Sequence, residues 1–251
     1  MIALCIGSAA ILILPWALLA SARRSPRGGD RPEVHGFLRF LWWLNRAYCV
    51  AVHRLVNLNE APLPEHGPAI LVANHTSGVD NFVLQAGCRR VLGFMIAQDI
   101  HQVWCVRPFS RALRCIVVRR DGRDLTAVRE ALRALKEGRV LPIFPEGRIT
   151  ASSGRELGPG KPGAAFLTLQ AGVPVIPAYI RGTPITKTVW EAGVTPSRVR
   201  VIYGPPIDLS DLANAPRGHD GEKAQIAAVT DRLMDAIKSL RDRSLALEES
   251  S

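Results

Sequence analysis

From Ala69 onward, short apolar runs alternate with stretches whose apolar residues recur at helical spacing. Ala69–Ala73 (AILVA) is an unbroken apolar run closed by the polar turn Asn74–Gly78, the pattern of a strand buried on both faces. Val91–Ala97, Cys115–Val118, Val140–Phe144, Val175–Ile180 and Arg198–Tyr203 read as further strands. Between and after them the spacing predicts helices around Phe82–Ala86, Val103–Leu113, Asp124–Glu137, Ala164–Ala171 and Glu222–Arg243. In the third of these Asp124 is placed to cap the first turn. Leu125, Val128, Leu132 and Leu135 then share one face, and Gly138 stops the helix. Gly172 stops the next one, and Leu245–Ser251 reads as a frayed end. Strands alternating with helices predict an α/β layered domain.

Upstream of this domain the pattern changes. Met1–Ala20 holds no charged residue. About 20 helical residues span roughly 30 Å, the hydrocarbon thickness of a bilayer. Pro15 interrupts the run, which membrane helices tolerate. Arg23, Arg24 and Arg27 follow it and favour retention of the downstream domain in the cytoplasm. Ala20-Ser21-Ala22 has the look of a signal-peptide cleavage site, but no Lys or Arg precedes the apolar run, so an uncleaved anchor is expected. Ser25–Glu33 is a linker. Phe37–Val56 mixes Trp42, Trp43 and Tyr48 with Arg39, Arg46 and Arg54. That mixture suits an interfacial helix at a bilayer and, equally, an amphipathic helix packed on the core. The expected division is an anchor at 1–22, a linker and interfacial helix at 23–60, the main domain at 61–245 and a tail at 246–251.

Composition supports a globular core, with 47% hydrophobic and 22% charged residues in 251. A net charge of +10 attracts polyanions or anionic bilayers. With 6% aromatic residues and no DNA-binding signature, nucleic acid is not the expected partner, and the apolar N-terminus turns the charge argument toward lipid. Cys5, Cys49, Cys88, Cys105 and Cys115 form no CxxC pair and are odd in number, so reduced thiols are expected rather than a disulfide framework. The six histidines show neither HxxxH nor HxH spacing, so neither a metal site nor a cofactor is expected.

The chemistry is concentrated in a few turns. In Asn74-His75-Thr76-Ser77-Gly78-Val79-Asp80, His75 and Asp80 are five apart. On one continuous helix they would face about 140° apart. A turn at Ser77-Gly78 lets them meet, so that the carboxylate fixes the imidazole tautomer and leaves the other nitrogen free to take a proton. The same residues also suit a polar turn whose Asp caps a helix. Phe144-Pro145-Glu146-Gly147-Arg148 stands at a strand end, where α/β sheets bind ligands. There Glu146 could accept a substrate hydroxyl, or simply occupy a surface turn. Arg119-Arg120 ends another strand and could clasp a phosphate or be a solvated turn. Lys161, before a helix, is a further anion ligand candidate. Val173–Ala178 is an apolar strand bracketed by prolines that would shape a pocket.

These pieces, in this order, resemble the phospholipid/glycerol acyltransferase family, in particular the bacterial 1-acyl-sn-glycerol-3-phosphate (lysophosphatidic acid) acyltransferases. The resemblance spans roughly Ala69 to Gly204. It implies a layered α/β domain with a mixed sheet flanked by helices, preceded by N-terminal membrane-associated helices. It implies acyl transfer from acyl-CoA or acyl-acyl carrier protein to the free hydroxyl of a lysophospholipid, at the cytoplasmic face of a membrane. By the NHxxxxD motif, His75 and Asp80 are the catalytic pair. Arg120 matches the arginine thought to bind the acceptor phosphate. Glu146 and Gly147 match the family's FPEGTRS, while Arg148 comes one position early. Three rivals remain: a Ser–His–Asp hydrolase, which lacks a GxSxG elbow here; another lysolipid acceptor; and a non-catalytic basic membrane-binding protein. No acyl-enzyme is expected, and the oxyanion is expected to be met by backbone N–H groups near the His75 turn.

Overall fold

The computed structural model describes residues 36–104, 106–119, 124–150, 152–213 and 219–249. The anchor expected at 1–22, the linker as far as residue 35, and Arg120 lie outside the described residues.

Helix α1 (Gly36–His53) leads into a short strand β1 (Val56–Asn57), then β2 (Ala69–Ala73) and α2 (Asp80–Gly87). Next come β3 (Met95–Ala97), the short helices α3 (Gln98–His101) and α4 (Arg107–Ala112), and β4 (Ile116–Val118). Helix α5 (Leu125–Lys136), β5 (Val140–Ile143), α6 (Pro162–Ala171) and β6 (Val175–Arg181) follow. The chain closes with α7 (Val189–Val194), β7 (Arg200–Tyr203), α8 (Ser210–Ala213) and the long α9 (His219–Glu249).

Five strands form one mixed sheet in the order β1-β7-β6-β2-β5. Strand β2 runs parallel to β5 and β6, β1 runs parallel to β7, and only the β6–β7 pairing is antiparallel. Strands β3 and β4 form a separate parallel pair, and a parallel bridge from Leu92 to Val140 ties that segment to β5.

Every residue of β2 is buried. The alternation of a strand explains why its sequence shows no polar position. Ala69, Leu71 and Ala73 enter a core with α2, while Ile70 and Val72 enter a second core with α5, α6 and α9. Helices therefore cover both faces, and the ends of β2 and β5 open onto the loops that carry the chemistry. The layered α/β fold and its mixed sheet are as expected from the sequence.

Two details correct the sequence reading, and a third bears out one of its alternatives. The buried stripe of α5 is Ala127, Ala131, Ala134 and Leu135, whereas Leu125 is 65% exposed. Small side chains let the helix approach the sheet closely, and the larger Val128 and Leu132 flank the contact. Asp124 does cap it, accepting from the Ala127 N–H at 3.1 Å. Helix α9 does not fray at Leu245 but continues through the stretch read as a tail, to Glu249. There Glu248 pairs with Arg181 and, at 3.2 Å, with Arg200, fastening the last turn to β6 and β7. Finally, α1 is packed on α2. Trp42 and Cys49 are buried, and the Trp42 indole N–H donates to the Cys88 carbonyl at 2.9 Å. Among the described residues no helix is long and apolar enough to cross a membrane.

The end of α1 carries a fully buried histidine, His53. The Tyr48 hydroxyl spends its one proton on the Gly193 carbonyl at 2.6 Å. The Nε2–H of His53 therefore donates to the Tyr48 oxygen, at 2.9 Å, and Nδ1 accepts from the Ser197 hydroxyl at 2.8 Å. A neutral ring is thus satisfied on both sides, and burial lowers its pKa from 6.5 to about 4. The unfolded chain takes up this proton near 6.5 and the folded chain only near 4. The contribution is complete above the unfolded value and is lost as pH falls across that window. We expect the thermal midpoint to drop over this interval, by the equivalent of about 3 kcal/mol. In His53→Gln the slope should flatten, whatever its starting stability. A parent profile that is level there would contradict the assignment. Burial also pushes the Cys49 and Cys88 thiols up, Cys88 to about 12, so neither serves as a thiolate nucleophile.

Candidate functional site

At the carboxyl end of β2 the backbone ladder is continued by a side chain. The Asn74 amide donates to the Ile180 carbonyl at 2.8 Å and accepts from the Ile180 N–H at 2.7 Å. With Asn74 held against β6, the next residue, His75, leaves the sheet. The chain then turns through Thr76–Val79, and Asp80 begins α2.

The turn brings the two residues together. His75 Nδ1 lies 2.9 Å from Asp80 Oδ2. The same oxygen accepts from the N–H of Thr76 at 2.7 Å and of Ser77 at 2.9 Å. The Thr76 hydroxyl donates to Oδ1 at 3.1 Å. Asp80 makes no side-chain cap for α2; its carboxylate folds back over residues 75–77 instead. Four donors converge on it, which is the environment of an ionised carboxylate. Nδ1 of His75 must then carry its proton, so Nε2 carries the lone pair. The ring is stacked on Phe144, with centroids 4.1 Å apart and planes 11° apart. Packing and hydrogen bonding together fix its plane. The Asp80 side chain is fully buried, whereas the His75 side chain is 20% exposed. A reactant can reach the imidazole but not the carboxylate. Such an arrangement can take a proton from a hydroxyl and hold the resulting imidazolium against a buried anion.

Glu146 ties two loops together through its carboxylate. Its Oε1 accepts from the His75 N–H at 2.8 Å, and its Oε2 accepts from the Gly158 N–H at 2.9 Å. It is buried, and both oxygens are aimed at backbone. The carboxylate thus braces the loop after β5 against the histidine. Gly158 is required by this contact, since a Cβ there would lie 2.7 Å from Oε2. In Glu146→Gln the amide NH₂ must oppose one of two buried N–H donors. We expect a loss of about 1–3 kcal/mol in stability and about a tenfold fall in kcat, with little change in KM. A substitution that raised KM and left the thermal midpoint alone would support the substrate-binding reading instead.

Gly147 lies against the Lys161 side chain, whose Nζ would be 3.1 Å from a Cβ at that position. The Lys161 N–H donates to the Pro145 carbonyl at 2.8 Å. Lys161 and the exposed Arg148 therefore flank the same turn as Glu146. Arg119 is drawn to the α5 cap: its N–H donates to Asp124 at 2.8 Å. The cleft lined by Arg114, Glu130, Arg133, Glu137 and Arg139 lies near the amino ends of β4 and β5, away from His75.

Four of the backbone N–H groups near His75, where donors to an oxyanion are expected, already have partners. Those of His75, Thr76 and Ser77 bind carboxylates, and that of Asp80 binds the Ser77 carbonyl at 3.2 Å. A turn that must hold an anionic side chain consumes its own amides. Sequence reasoning also missed Phe144 as the stacking partner and Thr183, which meets the Thr76 hydroxyl. Phe144 was within the motif; Thr183 carried no local signal.

Known proteins resemble this chain in sequence and in fold. Residues 50–181, more than half of the chain, match the family model described as Acyltransferase. A 1-acyl-sn-glycerol-3-phosphate acyltransferase of Bacillus subtilis (strain 168) is 25% identical over 186 residues, covering 74% of this chain and 87% of that protein. A protein of the same name from Limnanthes alba is 30% identical over 149 residues, covering 57% of this chain and 51% of its own. The crystal structure of the 1-acyl-sn-glycerophosphate (LPA) acyltransferase PlsC from Thermotoga maritima shares the fold. Its TM-score is 0.61 at 23% identity, with 81% of this chain and 79% of that one covered. The chain belongs to the acyltransferase family and is an enzyme of acyl transfer.

Proposed function

We propose that the enzyme transfers a fatty acyl group from acyl-CoA or acyl-acyl carrier protein to the free hydroxyl of 1-acyl-sn-glycerol-3-phosphate, giving phosphatidic acid. The observation that carries this is the reachable imidazole of His75, held through Nδ1 by buried Asp80 at 2.9 Å. Nε2 takes the hydroxyl proton as the acceptor oxygen attacks the thioester carbonyl. The carbon–sulfur bond then breaks, and the departing thiolate receives the proton from the imidazolium. Arg120, Arg148 and Lys161 are the proposed ligands of the acceptor phosphate, with Gly147 allowing Lys161 to approach. The early position of Arg148 favours, as a second reading, a lysolipid with a different headgroup.

The proposed site of action is the cytoplasmic face of a membrane. Met1–Ala20 would serve as the anchor. The outward face of α1, with Phe40 60% and Trp43 40% exposed beside Arg39, would lie at the bilayer boundary. The test is to supply the full chain with labelled acyl-CoA or acyl-acyl carrier protein and a panel of lysolipids, then identify the product. Phosphatidic acid as the dominant product is expected. Acylation of another lysolipid in preference would overturn the acceptor assignment.

A further inference from the structure

We infer that Thr183 is a positioning residue for the His75–Asp80 pair, acting through Thr76. This rests on the proposed role of that pair. Thr183 follows β6 immediately after Gly182, whose φ of +80° turns the chain under the 75–80 loop. Thr76 and Thr183 are each only 7% exposed, and their hydroxyl oxygens are in short hydrogen-bond contact across 107 residues of sequence.

The direction of the protons follows from counting them. An ionised carboxylate can only accept, so Thr76 must spend its single proton on Asp80 Oδ1, at 3.1 Å. The Thr76 oxygen must then be the acceptor for Thr183. The chain runs Thr183 to Thr76 to Asp80, ending 2.9 Å from His75 Nδ1 through the other carboxylate oxygen. Among the described residues, Oδ2 receives three donors, whereas Oδ1 receives this hydroxyl alone. Thr183 therefore locks the Thr76 rotor and polarises the hydrogen bond from Thr76 to Oδ1. It also draws negative charge from Asp80, which moderates how tightly the carboxylate holds the imidazolium.

The test is Thr183→Val, nearly isosteric but without a donor, compared with Thr183→Ser and Thr183→Cys in the full chain. For Thr183→Val we expect kcat to fall roughly three- to tenfold, with KM for both substrates within about twofold. The acidic limb of the pH profile of kcat/KM should move upward, because the imidazolium is held more firmly. Thr183→Ser should restore both, and Thr183→Cys should fall between. A merely structural role would lower the thermal midpoint without moving the pH limb. Wild-type turnover and an unshifted limb in Thr183→Val overturn the inference, and so does a Thr183→Ser variant as impaired as the valine one. If Thr183→Val does not fold, a Thr183→Cys profile identical to the parent overturns it equally. A parent enzyme inactive on every acyl donor and acceptor would instead remove the reading of the catalytic pair itself.

Discussion

Replacing His75 by alanine is expected to lower kcat by at least about 10²–10⁴-fold, the range of general-base catalysis. The fold should survive the change. The brace from Glu146 is made to the backbone N–H of residue 75, not to its ring, and any residue but proline keeps it. Asp80 keeps the Thr76 and Ser77 N–H donors at 2.7 and 2.9 Å. What is removed is the imidazole and its stacking on Phe144. Thermal denaturation should therefore change far less than turnover, and KM should stay close to the parent value. Near-parent turnover with unchanged stability would mean that some other group accepts the proton.

The second large effect is that of Asp80→Asn, expected to cost about 10²–10⁴-fold in kcat. The reason lies in how fully the carboxylate is used. Its Oδ2 accepts from three N–H groups, so an asparagine must present its carbonyl oxygen there and its NH₂ toward Thr76. The imidazole tautomer survives, but the buried negative charge that would stabilise the imidazolium is gone. Because the two residues act as a unit, the effects should not add. The His75→Ala/Asp80→Asn double variant should be no slower than His75→Ala alone. Multiplying effects would show that Asp80 contributes by a separate route.

The parts of the fold legible in the sequence were those dictated by burial and by local turn chemistry. AILVA at 69–73 was readable because both faces of β2 are covered, which removes every polar position from the run. Asp124 was readable because capping is a contact over three residues. The meeting of His75 and Asp80 was likewise local, five residues joined by a turn. What escaped reading was long-range. The backbone partners of Glu146 lie 71 residues before it and 12 after it, and no local pattern announces that its carboxylate will bind those amides. Thr183 is 107 residues from the hydroxyl it meets. The stripe of α5 was misassigned because size was equated with burial. At a close helix–sheet approach, Ala127, Ala131 and Ala134 fit where leucines do not. The extension of α9 to Glu249 depends on an ion-pair cluster with β6 and β7, again invisible in the helix's own sequence.

The central claim is direct transfer: a base built from His75 and Asp80 delivers a lipid hydroxyl to a thioester, with no acyl group ever resting on the protein. Intact-mass measurement of the purified chain, mixed with a labelled acyl thioester in the presence and absence of 1-acyl-sn-glycerol-3-phosphate, tests it most directly. Direct transfer predicts a protein mass that does not change, diacyl product only when the lysolipid is present, and negligible free fatty acid when it is not. A protein heavier by one acyl group, or fatty acid released without an acceptor, would contradict it.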